Sequence, residues 1–298
     1  MYDVVIVGGG PAGLSAALVL GRCRRRVAVC DARRPRNRRA EAVHGFITRE
    51  GLPPLELLRL AREDVGAYGV EHREAEVTGG ACEPDGTFTV VLSTGERLHS
   101  RKLLLATGMR DEAPAIEGVD RFYGRSVHHC PYCDGWEHRD GSLAAYGKGS
   151  AAVGLALALL TWSPRITACT DGEPIEDAER QRAHRHGIAI REERPVRLEG
   201  GDRLERVVFA SGEPLECSGL FFNTAQRQQS DLAERLGCTV RHGAVQTTAR
   251  QGTGVPGLFL AGDADKDVQF VIVAAGEGAT AAVAINKELQ EEDLGSWR

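Results

Sequence analysis

The sequence lacks the features that mark membrane-spanning, disulfide-stapled or nucleic-acid-binding proteins. Only eight cysteines occur in 298 residues, and six are isolated, which excludes a disulfide framework. No apolar run approaches the ~18 residues of a membrane span. The net charge of −5 argues against nucleic acid as the main partner. Because the first residues lack a basic segment and a cleavage site, we expect no signal peptide and a cytoplasmic protein.

The composition is that of an ordinary globular chain. Apolar residues make up 42% and charged residues 27% of the sequence, and the length predicts two domains. Arginines cluster at Arg22, at Arg24–Arg26 and within residues 33–39. We interpret these runs either as solvated faces or as a local phosphate site.

Residues 3–31 contain the parts of a dinucleotide-binding unit. The β-branched run at residues 4–7 predicts a buried parallel strand. A helix is predicted over 14–20 and a second strand over 27–30. Asp31 ends that strand, where a carboxylate can accept hydrogen bonds from ribose hydroxyls.

The turn between the first strand and the helix has the spacing that a pyrophosphate requires. Gly8 permits the tight turn, Gly10 permits close approach of the backbone to phosphate, and Gly13 permits close packing of helix on strand. Pro11 and Ala12 lie between them and are further candidate cofactor contacts. The unpaired N–H groups and the positive dipole end of the helix favour an anion.

Residues 143–171 repeat this plan. A helix is predicted over 152–160, a strand over 165–169, and Asp171 follows it. The candidate nucleotide contacts of the turn are Gly147, Gly149 and Ala152. A structural remnant that no longer binds nucleotide is the alternative interpretation.

Two more segments suit a flavin bound by the first unit. Residues 102–108 predict a strand that enters a glycine turn, and residues 257–285 predict a strand, a Gly-Asp pair and a helix beginning near Phe270. An aspartate in that place can bind the sugar alcohol chain of a flavin, although a helix cap is the alternative. The N-terminus of the helix would stabilise negative charge on reduced flavin. The candidate contacts are Ala106, Thr107, Gly108, Gly262, Asp263, Gln269, Phe270 and Val271.

These patterns predict an α/β fold with two Rossmann-like nucleotide-binding domains, the second inserted in the first. Residues 1–113 and 245–298 would form a discontinuous FAD-binding domain. Residues 114–244 would form an NAD(P)H-like domain that carries the CxxC motif. Residues 70–101 alternate and contain two turns, which predicts a small antiparallel addition to the first domain.

The stretch HHCPYCDGW, residues 128–136, contains the only close cysteine pair. Pro131 suits the first turn of a helix, which would place Cys130 where the helix dipole favours thiolate. A redox pair beside the flavin is the main interpretation. Zinc is the alternative, but consecutive ligands reach four tetrahedral corners with difficulty and no second motif completes a site. A structural disulfide is a further alternative.

The sequence resembles the low-molecular-weight thioredoxin reductase family over nearly its whole length. The motifs that carry the resemblance are GGGPAG (8–13), LLLATG (103–108), CPYCDG (130–135), GKGSAA (147–152) and GLFLAGD (257–263). The resemblance implies one FAD domain, one NADPH domain that contains the CxxC, and a homodimer. Residues 130–137 and 261–279 look more like a side branch that includes natural-product dithiol oxidases and relatives with weak or no nicotinamide binding.

The same resemblance implies roles for the residues around the motif. Cys133 would face the flavin, and Cys130 would exchange with an external disulfide. Asp134 matches the proton-transfer acid of the family. His128 and His129 are neighbouring candidates for moving that proton, because imidazole titrates near neutral pH; a packed or solvated residue is the alternative for either.

One departure from the family concerns the nicotinamide. The family has a His-Arg-Arg cluster that clamps the 2′-phosphate, whereas this sequence has Asp171 in the corresponding stretch. A carboxylate there repels a 2′-phosphate and can accept from a 2′-hydroxyl, so both NADH and NADPH remain candidates, as does another reductant. Arg180, Arg182 and Arg185 could supply a clamp, or could form a solvated helix face.

Three hypotheses about function follow. The first is a reductase of thioredoxin-like proteins, and the second is an oxidase or reductase of small dithiols. The third is a flavin-bearing redox sensor. The Gly- and Pro-containing segment 44–54 is interpreted as a loop near the flavin, and a tight cover there would suit a small substrate better than a protein. Trp297 is predicted either to cover the flavin or to lie in a disordered tail.

Overall fold

The computed structural model describes residues 1–265 and 268–295. Its contacts divide the chain into two compact units. The first unit comprises Met1–Arg38, Gly45–Arg110 and the described residues from Arg227 onward, and the second comprises Arg39–His44 and Asp111–Gln226. Trp297 lies outside the described residues, so its predicted role stays a prediction.

The N-terminal part of the first unit has seven strands and two helices. They are β1 (Tyr2–Val7), α1 (Pro11–Arg22), β2 (Val27–Cys30), α2 (Pro54–Gly66), β3 (Glu71–Arg73), β4 (Val77–Cys82), β5 (Phe88–Leu92), β6 (Arg97–Leu105) and β7 (Met109–Asp111). The sheet order is β3-β2-β1-β6-β5-β4. Strands β3, β2, β1 and β6 pair in parallel, and β4, β5 and β6 pair antiparallel. The predicted antiparallel addition therefore joins the parallel sheet through β6.

Strand β1 is central in this sheet and is buried on both faces. Val4 and Ile6 pack with α1 in one core, whereas Val5 and Val7 pack in a second core on the other face. This explains the uninterrupted β-branched run, because a parallel strand covered on both sides has no polar face. Each such side chain contributes about 1.5–3 kcal/mol when it is fully buried.

The middle part of the chain forms most of the second unit. Its elements are α3 (Val119–Phe122), β8 (Val127–His128), α4 (Pro131–Asp134), β9 (Ser142–Gly147), α5 (Ser150–Leu159), β10 (Arg165–Cys169), α6 (Asp177–Arg185), β11 (Ala189–Arg191), β12 (Pro195–Glu199), β13 (Arg206–Phe209), β14 (Leu215–Glu216), β15 (Gly219–Asn223) and β16 (Gln226–Gln228). A parallel sheet has the order β11-β10-β9-β15-β8, and β12, β13 and β14 form an antiparallel sheet. The predicted α/β class with Rossmann-like sheets is confirmed.

The C-terminal part returns to the first unit. Its elements are α7 (Leu232–Arg235), β17 (Val240–Arg241), β18 (Ala244–Val245), β19 (Leu258–Leu260), a 3₁₀ turn (Asp263–Asp265) and α8 (Val271–Gly295). Strand β19 pairs in parallel with β6. Helix α8 packs closely on α1, because a Cβ built on Gly278 would lie 2.0 Å from the Ala12 carbonyl oxygen. Small residues in α8 thus bring the two ends of the chain together.

Several predicted bounds shift in the structure. Helix α1 begins at Pro11, not residue 14, because Pro is preorganised for the first helical position, and α5 spans Ser150–Leu159. Residues 227–244, predicted to lie in the inserted domain, belong to the first unit, where α7 adds its apolar side chains to the core below the sheet. The chain passes between the units at β7 and β16, which pair as a two-stranded ribbon. Among the described helices, none is long and apolar enough to cross a bilayer.

Candidate active site

The two cysteines of the CxxC motif form a disulfide at the start of α4. Cys130 is the N-cap residue, and its Cα lies 5.3 Å from that of Cys133. The backbone N–H of Cys133 donates to Cys130 Sγ at 3.2 Å. Pro131 occupies the first turn, as predicted, and both cysteines are partly exposed. The pair is therefore formed, reachable by solvent and hydrogen-bonded at the Cys130 sulfur.

The residue after Cys133 is tied to a buried histidine. His128 Nδ1 lies 3.2 Å from Asp134 Oδ1, and His128 Nε2 lies 2.9 Å from His138 Nε2. His128 is 5% exposed. Burial, reinforced by neighbouring His128, lowers the pKa of His138 to about 4. His138 was not among the predicted site residues, since it lies beyond the motif.

The second histidine of the motif has different neighbours. Its ring nitrogen, His129 Nδ1, lies 3.4 Å from the Tyr123 hydroxyl and 3.9 Å from Asp111 Oδ2. The Asp111 side chain is only 4% exposed and accepts a hydrogen bond from Gln226 Nε2 at 3.0 Å. The structure thus gives the two predicted proton carriers different surroundings. His128 is buried beside Asp134, whereas His129, which precedes Cys130 in the sequence, is partly exposed.

The first glycine turn has the shape predicted for a phosphate cradle. A Cβ on Gly8 would lie 2.2 Å from the Ala106 carbonyl oxygen, and one on Gly13 would lie 1.9 Å from the Gly8 carbonyl oxygen. Gly10, the N-cap of α1, has open space where its Cβ would be. Among the described residues no side chain caps this helix. The tight contacts hold the turn, and the open position leaves room for a ligand.

The predicted acid of this unit lies beside the turn. A Cβ on Gly9 would lie 2.7 Å from Asp31 Oδ2, so this glycine lets the carboxylate approach the loop. Arg62 Nη2, from α2, lies 3.4 Å from the same oxygen. Neither Gly9 nor Arg62 was predicted, because the spacing of the motif does not distinguish Gly9 and α2 is remote in sequence.

The Gly-Asp pair after β19, Gly262 and Asp263, lies beside helix α1. A Cβ on Gly262 would lie 3.0 Å from the Ala12 Cβ. Asp263 Oδ2 accepts from Arg36 Nη1 at 2.7 Å, and the same nitrogen lies 2.8 Å from Gln269 Oε1. The other predicted contacts follow β6, at Ala106, Thr107 and Gly108, or begin α8, at Phe270 and Val271.

Arg36 belongs to an arginine cluster that is otherwise largely engaged by acids. Arg33 Nε lies 2.9 Å from Glu74, and Arg34 and Arg39 pair with Glu76 and Asp120. Each of these three pairs is at least partly solvated. This arrangement favours a solvated face for most of the cluster, whereas Arg36 is mostly buried against Asp263.

The second glycine turn also forms, and most of the charged side chains around it are acidic. A Cβ on Gly147 would lie 2.9 Å from the Ala152 backbone nitrogen, and Gly149 has φ +53°. In front of this turn a cavity is lined by residues that were not predicted. They are Lys148, Ser150, Glu173, Pro174, Ile175, Glu176 and Glu179. Three carboxylates against one ammonium group make this cavity unfavourable for a highly charged anion.

Asp171 lies at the end of β10, as predicted. Burial, followed by a hydrogen bond to Asp171, raises the pKa of the Tyr146 hydroxyl. Arg194 Nε lies 4.0 Å from Asp171 Oδ1 and is a cation that the motif did not indicate. On the next helix, Arg180 pairs with Glu192, and Arg182 lies 3.7 Å from Glu179.

The segment predicted to cover the flavin is mainly loop and turn. Residues 44–53 precede α2, and the Gly45 N–H donates to Glu50 Oε2 at 2.8 Å. His44 Nε2 lies 3.6 Å from Glu137 Oε1. Ile47 is 77% exposed. The covering role stays a prediction.

The metal alternative finds no support in the donor geometry. Within residues 1–265 and 268–295, no group of three or more His, Cys, Asp or Glu side chains is arranged to hold a metal ion. The nitrogens of His128 face Asp134 and His138 instead.

Two dinucleotide-type turns and a CxxC disulfide on parallel α/β sheets are the features of a dinucleotide-dependent disulfide oxidoreductase. A model of the pyridine nucleotide-disulphide oxidoreductase family matches residues 2–278, and the chain belongs to this family. Within it the chain belongs to the thioredoxin reductase group. It is 30% identical over 327 residues to a protein of Arthroderma benhamiae named "Probable thioredoxin reductase", covering 98% of this chain and 81% of that protein.

Solved structures agree with this assignment. The crystal structure of HlmI has 36% sequence identity and a TM-score of 0.95, with 99% of this chain and 94% of that chain covered. An oxidoreductase from Agrobacterium tumefaciens has 33% identity and a TM-score of 0.89, with 97% and 98% covered. The protein is therefore an oxidoreductase with the thioredoxin reductase fold.

Thioredoxin reductases depend on FAD and use NAD(P)H as reductant, and the first unit fits such a cofactor. The open position at Gly10 would accept a pyrophosphate at the uncapped start of α1. Asp31 and Asp263 would supply carboxylates to accept hydrogen bonds from its sugar hydroxyls. The tight contacts at Gly8 and Gly13 would exclude any larger residue there.

Proposed function

We propose that this oxidoreductase passes electrons between FAD and the Cys130–Cys133 disulfide, and from there to or from an external disulfide or dithiol. The observation that carries the proposal is the disulfide itself, formed at the start of α4 and partly exposed. The six other cysteines are free. Four of them are buried, and burial raises the pKa of Cys30 and of Cys217 to about 12, which makes these thiols unreactive.

The chemistry divides between the cofactor and the protein. FAD, when bound, supplies or accepts the electron pair. Cys133 is proposed to face the flavin, and Cys130 to attack the external disulfide, in line with the resemblance. Asp134 is the proposed proton-transfer group. His129 is proposed to serve the thiol of Cys130, which it precedes in sequence; Tyr123 and Asp111 fix one side of its ring.

The charge of the second unit supports NADH over NADPH as the nicotinamide, if one is used. Asp171 lies two residues beyond the end of β10, and Glu173, Glu176 and Glu179 line the cavity in front of the second glycine turn. A 2′-phosphate would add about two negative charges to that environment. Arg194 is the one cation found near Asp171 in the described residues, and it is largely exposed.

A second candidate function, oxidation or reduction of a small dithiol, is favoured by this same acidic cavity. If nicotinamide binds weakly, a dithiol can reduce the Cys130–Cys133 pair instead, and electrons then run toward FAD. A thioredoxin-like protein remains the other partner class. A homodimer in the cytoplasm is part of the proposal.

Anaerobic mixing distinguishes these functions. Purified yellow protein is treated separately with NADH, NADPH and a small dithiol, and the visible absorbance of the flavin is followed. We expect bleaching by dithiol, and by NADH at lower concentration than by NADPH. Bleaching by NADPH at the lowest concentration would contradict the interpretation of Asp171, and bleaching by none of the three would favour the sensor. The Cys82→Ser variant, which removes an exposed free thiol, is the control.

A further inference from the structure

Three side chains form a line that leads inward from the CxxC motif. Asp134 Oδ1 contacts His128 Nδ1 at 3.2 Å, and His128 Nε2 contacts His138 Nε2 at 2.9 Å. They come from three neighbouring elements: α4, β8 and the turn before β9. We call this set the His-Asp line. One end of it adjoins Cys133 in sequence, and the other is buried.

The two contacts of His128 limit where the hydrogens can lie. Two ring nitrogens that face each other share a hydrogen bond only when one carries a hydrogen and the other accepts it. The pKa of His138 is lowered to about 4, by burial first and by His128 second, so its ring is neutral near pH 7. One arrangement that satisfies both contacts has His138 Nε2–H donating to His128 Nε2 and His128 Nδ1–H donating to the Asp134 carboxylate. The line thus combines one carboxyl group with two imidazole rings, which are groups that can accept a proton.

The strand beneath the line holds both rings in place. Phe221 packs against them, with ring centroids 5.4 Å from His128 and 5.8 Å from His138. Gly219 leaves the space that His138 needs, because a Cβ there would lie 2.9 Å from His138 Nδ1. The line is thus built into the fold of the second unit.

Few other charges act on the His138 end of the line. Besides Asp134 and His128, the charged groups that act on His138 are Arg203 and Glu41, whose effects have opposite signs. These two side chains also form an ion pair at 2.6 Å. Strand β15 contributes Phe221 and Gly219, which carry no charge.

We propose that His128 and His138 are positioning residues that make Asp134 the base of the Cys130–Cys133 pair. This proposal rests on the proposed function, in which that pair is the redox couple. When a dithiol reduces the disulfide, two electrons break the S–S bond and the dithiol becomes a disulfide, releasing two protons. One proton forms a thiol on one cysteine, the other enters the His-Asp line, and the second cysteine remains a thiolate. The reverse steps regenerate the protein disulfide.

The test measures the thiols of the reduced protein without relying on flavin chemistry. The rate of iodoacetamide alkylation at each cysteine is followed against pH by mass spectrometry. His128→Asn keeps a hydrogen-bond donor near Asp134 but cannot hold the proton. We expect it to raise the pH at which alkylation of the more reactive thiol is half-maximal by about one unit. Asp134→Asn, which is nearly isosteric and thus compatible with folding, should instead lower that midpoint, because it removes a negative charge beside the thiolate.

His138 provides the conservative pair of variants. His138→Phe removes the donor to His128 and raises the midpoint, whereas His138→Gln keeps an N–H at that place and restores the wild-type profile. His186→Gln, on the exposed end of α6, is the matched control. Unchanged midpoints in His128→Asn and His138→Phe would overturn the proposal, and so would a His138→Gln profile that follows His138→Phe. Failure of electron transfer to flavin alone would leave these alkylation results intact and would count against the proposed function instead.

Discussion

Arg36 Nη1 lies 2.7 Å from Asp263 Oδ2, joining side chains 227 positions apart in the chain. The same nitrogen lies 2.8 Å from Gln269 Oε1. Both partners belong to the segment proposed to bind the flavin, between β19 and α8. The Arg36 side chain is 14% and the Asp263 side chain 20% exposed, so the pair is partly shielded from water.

Replacing Arg36 by Met should weaken FAD binding. The variant removes the ion pair to Asp263 and the contact to Gln269 Oε1, so that the carboxylate is no longer held for a sugar hydroxyl. We expect roughly tenfold weaker binding, about 1.4 kcal/mol, measured by the quenching of flavin fluorescence as apoprotein is added. Arg59→Met, which removes an exposed arginine of α2, is the control. Equal affinity of the Arg36 variant and the wild type would contradict this role.

Two glycines of the first turn should respond differently to alanine. Gly10→Ala places a methyl group in open space, so the unfolding free energy of the apoprotein stays close to wild type while FAD affinity falls at least about tenfold. Gly13→Ala forces a methyl group to within 1.9 Å of the Gly8 carbonyl oxygen and should cost roughly 2–4 kcal/mol of stability. Urea unfolding of both apoproteins and flavin titration separate these effects. A stable Gly13→Ala protein with normal FAD affinity would contradict the cradle.

Asp171→Asn should shift the nicotinamide preference. The substitution removes one negative charge beside the second turn, and Asn tolerates the φ of +59° found there. We expect the ratio of kcat/KM for NADPH to that for NADH to rise roughly fivefold, because like-charge repulsion of the 2′-phosphate is reduced. Asp202→Asn, at an exposed position of the same unit, is the control. A ratio that does not change would remove the basis for preferring NADH.

The buried His138 ring should make stability depend on pH. Burial lowers its pKa in the folded protein to about 4, whereas the ordinary value is about 6.5. Because the unfolded chain binds this proton more readily, the contribution of His138 is fully present above pH ~6.5 and is lost as pH falls toward ~4. Between pH 7 and pH 5 the wild type should lose about 2 kcal/mol more unfolding free energy than His138→Gln. Unfolding free energies are measured by urea denaturation of both proteins at both pH values. An equal loss in the wild type and in His138→Gln would contradict the lowered pKa of His138.

The local parts of the fold could be predicted from the sequence. Strands β2 and β10 have the predicted bounds, and the turn at Gly8 closes as its spacing indicates, because neighbouring residues determine both. The CxxC helix also begins at Pro131, where the fixed φ of proline suits a first turn. In each case the residues that predict the element lie in the element itself or within a few residues of it.

The contacts that complete the sites could not be predicted in this way. Arg36 reaches Asp263 only after the chain has folded, and no pattern marks that arginine among its neighbours. His138 lies in the turn before β9 and contacts His128 of β8. The two residues belong to different elements, so neither the helix nor the strand period predicts the contact. The placement of residues 227–244 with the first unit depends on α7 packing below a sheet built mainly from the N-terminal third. Such features depend on tertiary packing, not on local propensity.

The most direct measurement of the central claim is thiol counting after flavin reduction. FAD in the anaerobic protein is reduced by light with a sacrificial donor, and free thiols at Cys130 and Cys133 are alkylated and identified by mass spectrometry. We predict that both thiols appear as the flavin regains its visible absorbance, and that Cys133→Ser abolishes reoxidation of the flavin while Cys23→Ser does not. Reduced flavin that persists beside an intact Cys130–Cys133 disulfide in the wild type would contradict the account.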